Sequence, residues 1–468
     1  MKKVKKITIL GSGTAGWMTA AFLAHKLEDD YFELSIIEGK SFSSVGVGEA
    51  TLPSFPEFLE HCGFKLEDWF NYCKCTHKVG IVYNDWIKFK NKFWHPFGFL
   101  PWFDNGNYNL FDILKHTNQD LTNIGKYFQY YNTCIVENKP IDEIKAVHID
   151  AKKLALFFKE NVKIKIIKSD ITDVLYKDGD IEHIILDNNQ KFISDLYIDC
   201  LGFKSIIKDK NSSYNFVFKN NSTPINAAIF NPVNYTNNKK QITPYTTTQC
   251  TPYGWMWQIP LQNRLGAGSV FNKDLSDKDE VIKWYENYFG KENLINPETK
   301  CIEFTPGYYN NQWNGNCISI GLASGFIEPL ESTGIQFIID GIIHSFNRFN
   351  KGWYIKDDIK HFNGQINLRY ESVFDFIGLH YLKTEHNTPF WKHVKDNFSK
   401  NIDTTLKFRL DYMKNYYFGR EDVEEGKIVG NYSWLYMLTQ YTDIYPKTRE
   451  VKLNNSNELL EQYLKDYY

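Results

Sequence analysis

No stretch of this chain reaches the roughly 18 consecutive apolar residues that a membrane-spanning helix needs, so no transmembrane segment is expected. Excess charge of one sign is also missing: 54 Lys and Arg stand against 56 Asp and Glu, a formal net charge of −2. That balance gives no footprint for nucleic acid and no handle on an anionic membrane surface. Cysteine is sparse. The eight residues are scattered, Cys73 and Cys75 form the one close pair, and no Cys or Cys/His run has zinc spacing. No metal site is expected, and free thiols make a cytoplasmic location the simplest expectation. The apolar run Ile7 to Leu10 after the basic N-terminus meets Gly11 at once and is too short for a signal peptide. Internal repeats and low-complexity tracts are absent as well.

What remains is an ordinary globular composition of 468 residues, enough for two or three domain-sized units with a sizeable core, and rich in aromatics (12 Trp, 30 Tyr, 35 Phe). Val4 to Leu10 reads as a buried strand. Gly11-Ser12-Gly13-Thr14-Ala15-Gly16 follows, then a helix from Trp17 to about Leu27. In this strand–turn–helix setting GxGxxG has a mechanism: one glycine for the tight turn, one for backbone approach to a pyrophosphate, one for helix–strand contact. A second strand, Leu34 to Ile37, ends at Glu38, placed to hold a ribose hydroxyl. Dinucleotide binding is expected; FAD or a nicotinamide nucleotide is left open by this motif.

Gly321 to Ile335 carries a second signal. Pro329 stops an incoming element, Ser332 and Thr333 are good N-cap residues, and Ile335, Ile338, Ile339, Ile342, Ile343 and Phe346 form a buried helix face. Free amides at Thr333 and Gly334 then lie at a helix N-terminus, which favours an anion, with Glu331 beside it. Taken alone, the stretch is equally a capped helix of any globular protein. Lys78, in a strand His77 to Tyr83, reads by itself as a solvated or edge lysine. Asn91 to Asp104 is so rich in aromatics, Pro and Gly that it reads as loop, either core or the wall of a pocket for a flat ligand. Asp150 is a plausible N-cap for a helix from Ala151 to about Val162. Lys177-Asp178-Gly179-Asp180 has hairpin chemistry between strands Ile171 to Tyr176 and Ile181 to Leu186. Asp195 to Phe203 returns the chain to the nucleotide sheet. Residues 205 to 250 are Asn-rich and read as meandering β structure. Trp255 and Trp257, two apart in a strand, share one face and make a rigid apolar wall or simply core.

Taken in order, these motifs resemble the flavin-dependent halogenases, in particular the branch with the tryptophan halogenases, over nearly the whole chain. WxWxIP appears as Trp255, Trp257, Ile259 and Pro260, and GVGEAT as Gly46 to Thr51. HPFG is His95 to Gly98, (E/D)PLESTG is Glu328 to Gly334, and the catalytic-lysine segment is Lys78 before Val79-Gly80. The resemblance implies an α/β fold: an FAD-binding module of the glutathione reductase or p-hydroxybenzoate hydroxylase type over residues 1–350, with an inserted β segment at about 205–275. A mostly helical substrate-covering part would occupy 351–468.

It further implies FAD, used as FADH2 from a separate flavin reductase, and a halide ion (chloride, bromide or iodide). Flavin contacts would come from Gly11, Ser12, Gly13, Thr14, Ala15 and Gly16, from Glu38, Gly48 and Ala50, and from Ile171, Leu322 and Ile335. Halide would lie at Thr333 and Gly334. Hypohalous acid would pass through a tunnel walled by Trp255 and Trp257 to Lys78, with Glu331 orienting it or taking the arene proton. Burial in apolar surroundings favours a neutral lysine amine, the form that accepts an electrophilic halogen. His95 and Phe97 would contact a small electron-rich (hetero)aromatic such as an indole. Two departures stand out. Gly307-Tyr308-Tyr309 replaces a pair of basic residues common in the family, and no clamp for a free tryptophan is matched, Tyr416, Tyr417, Glu424, Glu425 and Trp434 being candidates by region alone. The alternatives are a flavin-dependent aromatic hydroxylase and a non-catalytic flavin-binding redox sensor. Homo-oligomer formation is left open.

Overall fold

The computed structural model describes residues 1–28, 30–40, 46–98, 102–103, 107–128, 131–137, 139, 146–415, 428–441 and 456–467. They divide into two compact units, each assembled from three segments. Met1–Cys75, Ile149–Lys219 and Thr305–Tyr370 form the first, and Thr76–His148, Asn220–Phe304 and Glu371–Tyr468 form the second. This partition does not follow the expected boundary near residue 350: residues up to Tyr370 belong with the nucleotide motif, and the expected β insertion is cut at Lys219. The linear reading missed this because long-range strand pairing, not sequence neighbourhood, gathers the segments. No described helix is long and apolar enough to cross a membrane.

The first unit is α/β. Its six-stranded sheet runs in the order Lys165–Lys168, Glu33–Glu38, Lys6–Leu10, Leu196–Asp199, Cys317–Ser319, Trp313–Asn314. All neighbours are parallel except the last pair. Strands buried on both faces read as near-continuous apolar runs, as Ile7 to Leu10 does apart from Thr8. The helix Thr14–Lys26 makes the first crossover. The helix Ala151–Asn161 starts where expected, Asp150 accepting from the Lys153 N–H at 3.1 Å. The 177–180 turn also forms as read, with Asp178 and Gly179 at φ 52° and 86°, the two positive values a tight hairpin demands.

One buried ion pair ties the carboxyl ends of two central strands together. Asp199 is fully buried, and its Oδ2 accepts from Lys208 Nζ at 2.8 Å and from Ser205 Oγ at 2.5 Å. The Leu201 N–H donates to Oδ1 at 3.0 Å, and Lys208 also donates to Ser319 Oγ at 2.9 Å. Lys208 lies 5.3 and 4.9 Å from the ring centroids of Tyr214 and Tyr309. The Tyr308-Tyr309 departure therefore has a local use: one ring faces this ammonium, and the other stacks on Tyr370 at 4.8 Å.

The second unit carries a seven-stranded sheet ordered Lys300–Glu303, Ala227–Phe230, Leu265–Phe271, Gly254–Pro260, Thr246–Thr251, Gly80–Asn84, Lys92–Pro96. The last strand corrects the loop expected over 91–104: Phe93 to Pro96 pair antiparallel with Gly80 to Tyr83, because aromatic side chains suit a half-buried pleat better than Pro and Gly disfavour it. Of the meander expected over 205–250, the described strands are Phe216–Phe218, Ala227–Phe230 and Thr246–Thr251. Helices Thr404–Asn415, Asn431–Tyr441 and Ser456–Tyr467 end the chain. Leu435, Tyr436 and Leu460 join the cluster of Val79, Val82 and Trp94.

Replacing Lys208 with Met should leave Asp199 as an uncompensated buried charge and lower unfolding free energy by about 3–5 kcal/mol, measured by urea titration.

Candidate active site

The nucleotide loop is shaped by sterics. A Cβ on Gly16 would lie 1.9 Å from the Gly11 carbonyl oxygen, and one on Gly11, at φ +97°, would lie 2.8 Å from the Cys200 carbonyl oxygen. Both positions therefore require glycine. A Cβ on Gly13 would meet nothing within 4 Å. Gly13 is the N-cap of the helix that follows and offers no side-chain cap. Open space in front of uncapped helix amides fits a diphosphate, so the residues present suit the dinucleotide end of a flavin cofactor.

Glu38, at the end of its strand, receives Lys159 Nζ on both oxygens, at 2.6 and 2.8 Å. The expected ribose acid is thus anchored by a lysine that sequence reasoning passed over, and its remaining lone pairs are available to a hydroxyl. Gly48 takes φ +112°. Glu49 next to it keeps accessible surface yet is ringed by protein atoms, and desolvation pushes its carboxyl up to about 7. Ala50 is buried, Ile171 packs beside Leu10 and Ile37, and Leu322 is 44% exposed.

The second expected anion site differs from its reading in one respect. Thr333 holds the N-cap position of the helix Gly334–Phe349, but in a helical conformation and with no side-chain hydrogen bond to the helix. Ser332 adopts φ +60°, a value non-glycine residues rarely take. The Thr333 hydroxyl thus gives the helix no side-chain cap. A Cβ on Gly334 would meet nothing within 4 Å, so the amides border open space. Glu331 and Thr333 are 3% and 2% exposed, and Ile335 is buried.

Lys78 overturns its isolated reading as a solvated or edge lysine. Its strand, Thr76–Lys78, stops at Val79, whose N–H is taken by the Pro244 carbonyl at 2.8 Å. The lysine has no accessible surface, and its Nζ lies 4.8 Å from the centroid of the Phe97 ring. His95 is buried and its Nε2 is 2.9 Å from Ser433 Oγ. Trp255 and Trp257 are buried neighbours with centroids 6.2 Å apart. The indole N–H of Trp255 donates to the Tyr381 hydroxyl at 3.1 Å. Trp257 lies over Gly268, where a Cβ would fall 2.2 Å from its ring.

Of the region-only clamp candidates, Trp434 is fully buried, 5.2 Å from Phe376 and 5.1 Å from the Arg409 guanidinium. Tyr416, Tyr417, Glu424 and Glu425 lie outside the described residues. The structure thus gathers Lys78, His95, Phe97, Trp255 and Trp257 in the second unit. The glycine loop, Glu38, Gly48, Ala50, Ile171, Leu322, Glu331, Thr333, Gly334 and Ile335 fall in the first.

The fold is that of a flavin-dependent halogenase. The chain belongs to the tryptophan halogenase family, whose model matches residues 6–453. Tryptophan 6-halogenase SttH of Streptomyces toxytricini is 29% identical over 442 residues, spanning 87% of this chain and 84% of that protein. Its crystal structure matches with a TM-score of 0.88 at 25% identity, covering 99% of this chain and 96% of that one. Tryptophan 6-halogenase ThaL of Streptomyces albogriseolus is 28% identical over 423 residues, 84% of this chain and 79% of that protein. Xcc4156, a flavin-dependent halogenase from Xanthomonas campestris, matches with a TM-score of 0.86 at 25% identity, covering 100% of this chain and 94% of that one.

A carboxyl raised from 4.5 to about 7 in the fold costs nothing below its unfolded value and progressively destabilises the folded chain as pH rises between the two. Glu49→Gln should therefore leave the Tm of the ligand-free protein unchanged near pH 4.5 and raise it at about pH 8, by scanning calorimetry at both pH values.

Proposed function

We propose that this protein halogenates a small electron-rich heteroaromatic, an indole in the first instance, with Lys78 as the carrier of the electrophilic halogen. FAD, delivered reduced by a separate reductase, supplies with O2 the two-electron oxidation of halide to hypohalous acid. The chain's own residues do the rest. The uncapped amides beside Thr333 and Gly334 hold the halide by directed N–H groups and the helix dipole, with no titratable base involved. Lys78 receives the oxidised halogen, as a haloamine with release of water or by hydrogen bond. The arene then attacks the halogen, the amine is restored, and Glu331 takes the ring proton. The Trp255 and Trp257 wall keeps the arene from the cofactor, so that oxygen is not inserted.

The observation that carries this reading is the full burial of Lys78 against the Phe97 ring. A hydroxylase has no use for such an amine. The relatives are named for tryptophan, and this chain is read as taking an indole because no clamp for a free amino acid was matched in its sequence.

Lys78→Ala should keep FAD affinity and lose halogenated indole by mass spectrometry, given a generic flavin reductase and bromide; full activity would overturn the role. A screen of arenes against the three halides, with oxygen insertion as the competing product, separates halogenation from hydroxylation. Gly334→Ala places a methyl in the open space beside the amides. It should change stability by less than about 0.5 kcal/mol while raising the halide KM, more for iodide than for chloride.

A further inference from the structure

His148 has no accessible surface, and both its ring nitrogens are engaged within the second unit. Nδ1 lies 2.9 Å from Thr76 Oγ1, and Nε2 lies 3.0 Å from Thr246 Oγ1. The proton positions follow from the hydroxyls. Thr76 has one hydroxyl proton, and it goes to the Pro260 carbonyl at 2.5 Å. Thr76 can then only accept from His148, so Nδ1 carries the imidazole hydrogen. In the neutral ring Nε2 is the acceptor, and Thr246 donates to it. The result is one directed chain, from Thr246 through the imidazole and Thr76 to the backbone of Pro260.

The register places this chain beside Lys78. In the antiparallel pair of Thr76–Lys78 with Ala146–Ile149, Ala146 is opposite Lys78 and His148 is opposite Thr76. Alternate residues share a face, so His148 is the diagonal neighbour of the lysine. The Lys78 strand is three residues long, too short to fix a side chain by its ladder alone. Its anchors include the Thr76 hydroxyl, which reaches the last residue of the WxWxIP strand, and His148, which reaches the Thr246–Thr251 strand. Burial and the neighbouring charges of Lys78 and His77 hold the imidazole well below its usual pKa. It therefore adds no second positive charge beside the lysine.

We infer that His148 is a positioning residue for Lys78: as a neutral Nδ1–H imidazole clasped between Thr76 and Thr246, it sets where the amine stands without charging its surroundings. The inference rests on the reading of Lys78 as halogen carrier.

The full-length protein, with FAD, a generic reductase, bromide and O2, is assayed for two outputs: brominated indole, and bromination of a small 1,3-diketone that traps free hypobromite. His148→Leu should keep the trap signal within about twofold and lower brominated indole by about 10- to 100-fold, as a displaced reacting group does, in kcat more than in the indole KM. His148→Gln, which can donate to Thr76 and accept from Thr246, should restore most of the lost product. Thr246→Val should lower indole bromination while keeping the trap signal, and this variant decides the matter if His148→Leu does not fold. Wild-type product yield in His148→Leu or Thr246→Val, or a parallel loss of both outputs with no rescue by Gln, would overturn the role. A wild-type protein that gives neither output would overturn the halogenase reading itself and with it this inference.

Discussion

Placing a lysine where water does not reach, with the charge its amine would carry there, is the constraint to which the second unit is fitted. The penalty for removing such a charge from water is several kcal/mol even after relaxation. Lys78 meets it on a strand of three residues, with an aromatic face 4.8 Å from its nitrogen. A cation over a ring recovers up to about 2 kcal/mol when desolvated. Its backbone surroundings are fixed by the Thr76 and His148 hydrogen bonds and by the pairing of Gly80–Asn84 with strands on both sides. Gly80 shows how tight this packing is: a Cβ there would fall 2.3 Å from the Trp94 indole nitrogen and 2.6 Å from the His95 carbonyl oxygen.

In the first unit two helix starts lack a side-chain cap. At both helix starts that face open space, Gly13 and Thr333, the N-cap side chain makes no bond to the helix. Asp150 and Asp277 close their helices with their own side chains, whereas Pro53, Ser205 and Thr388, like Gly13 and Thr333, make no side-chain cap. Uncapped amides cost stability, of the order of 1 kcal/mol per missing cap.

What could be read from the residues alone follows how local the physics is. The glycine loop, the Asp150 cap, the Asp178-Gly179 hairpin and the helix after Thr333 are each determined within a few residues, and each formed where expected. Lys78 was legible only through resemblance, since its neighbours in sequence do not announce burial created by strands far along the chain. The strand Lys92–Pro96 was masked by its own Pro and Gly content. Lys159 and His148 were invisible as partners because their carboxylate and hydroxyl contacts are long-range. Thr333 was correctly placed at the helix start, but its failure to cap could not be anticipated from its propensity.

The interleaving of the two units sets the order in which this protein can be completed as it leaves the ribosome. The nucleotide sheet needs Cys317–Ser319 beside Leu196–Asp199, so its ladder cannot close until about two thirds of the chain has been made. The second unit needs its last segment, Glu371–Tyr468. Unpaired edges of both sheets must therefore wait exposed during synthesis, the situation in which chains of high contact order depend on chaperones and cool, slow expression. It also means that no single cut of the chain yields either half intact.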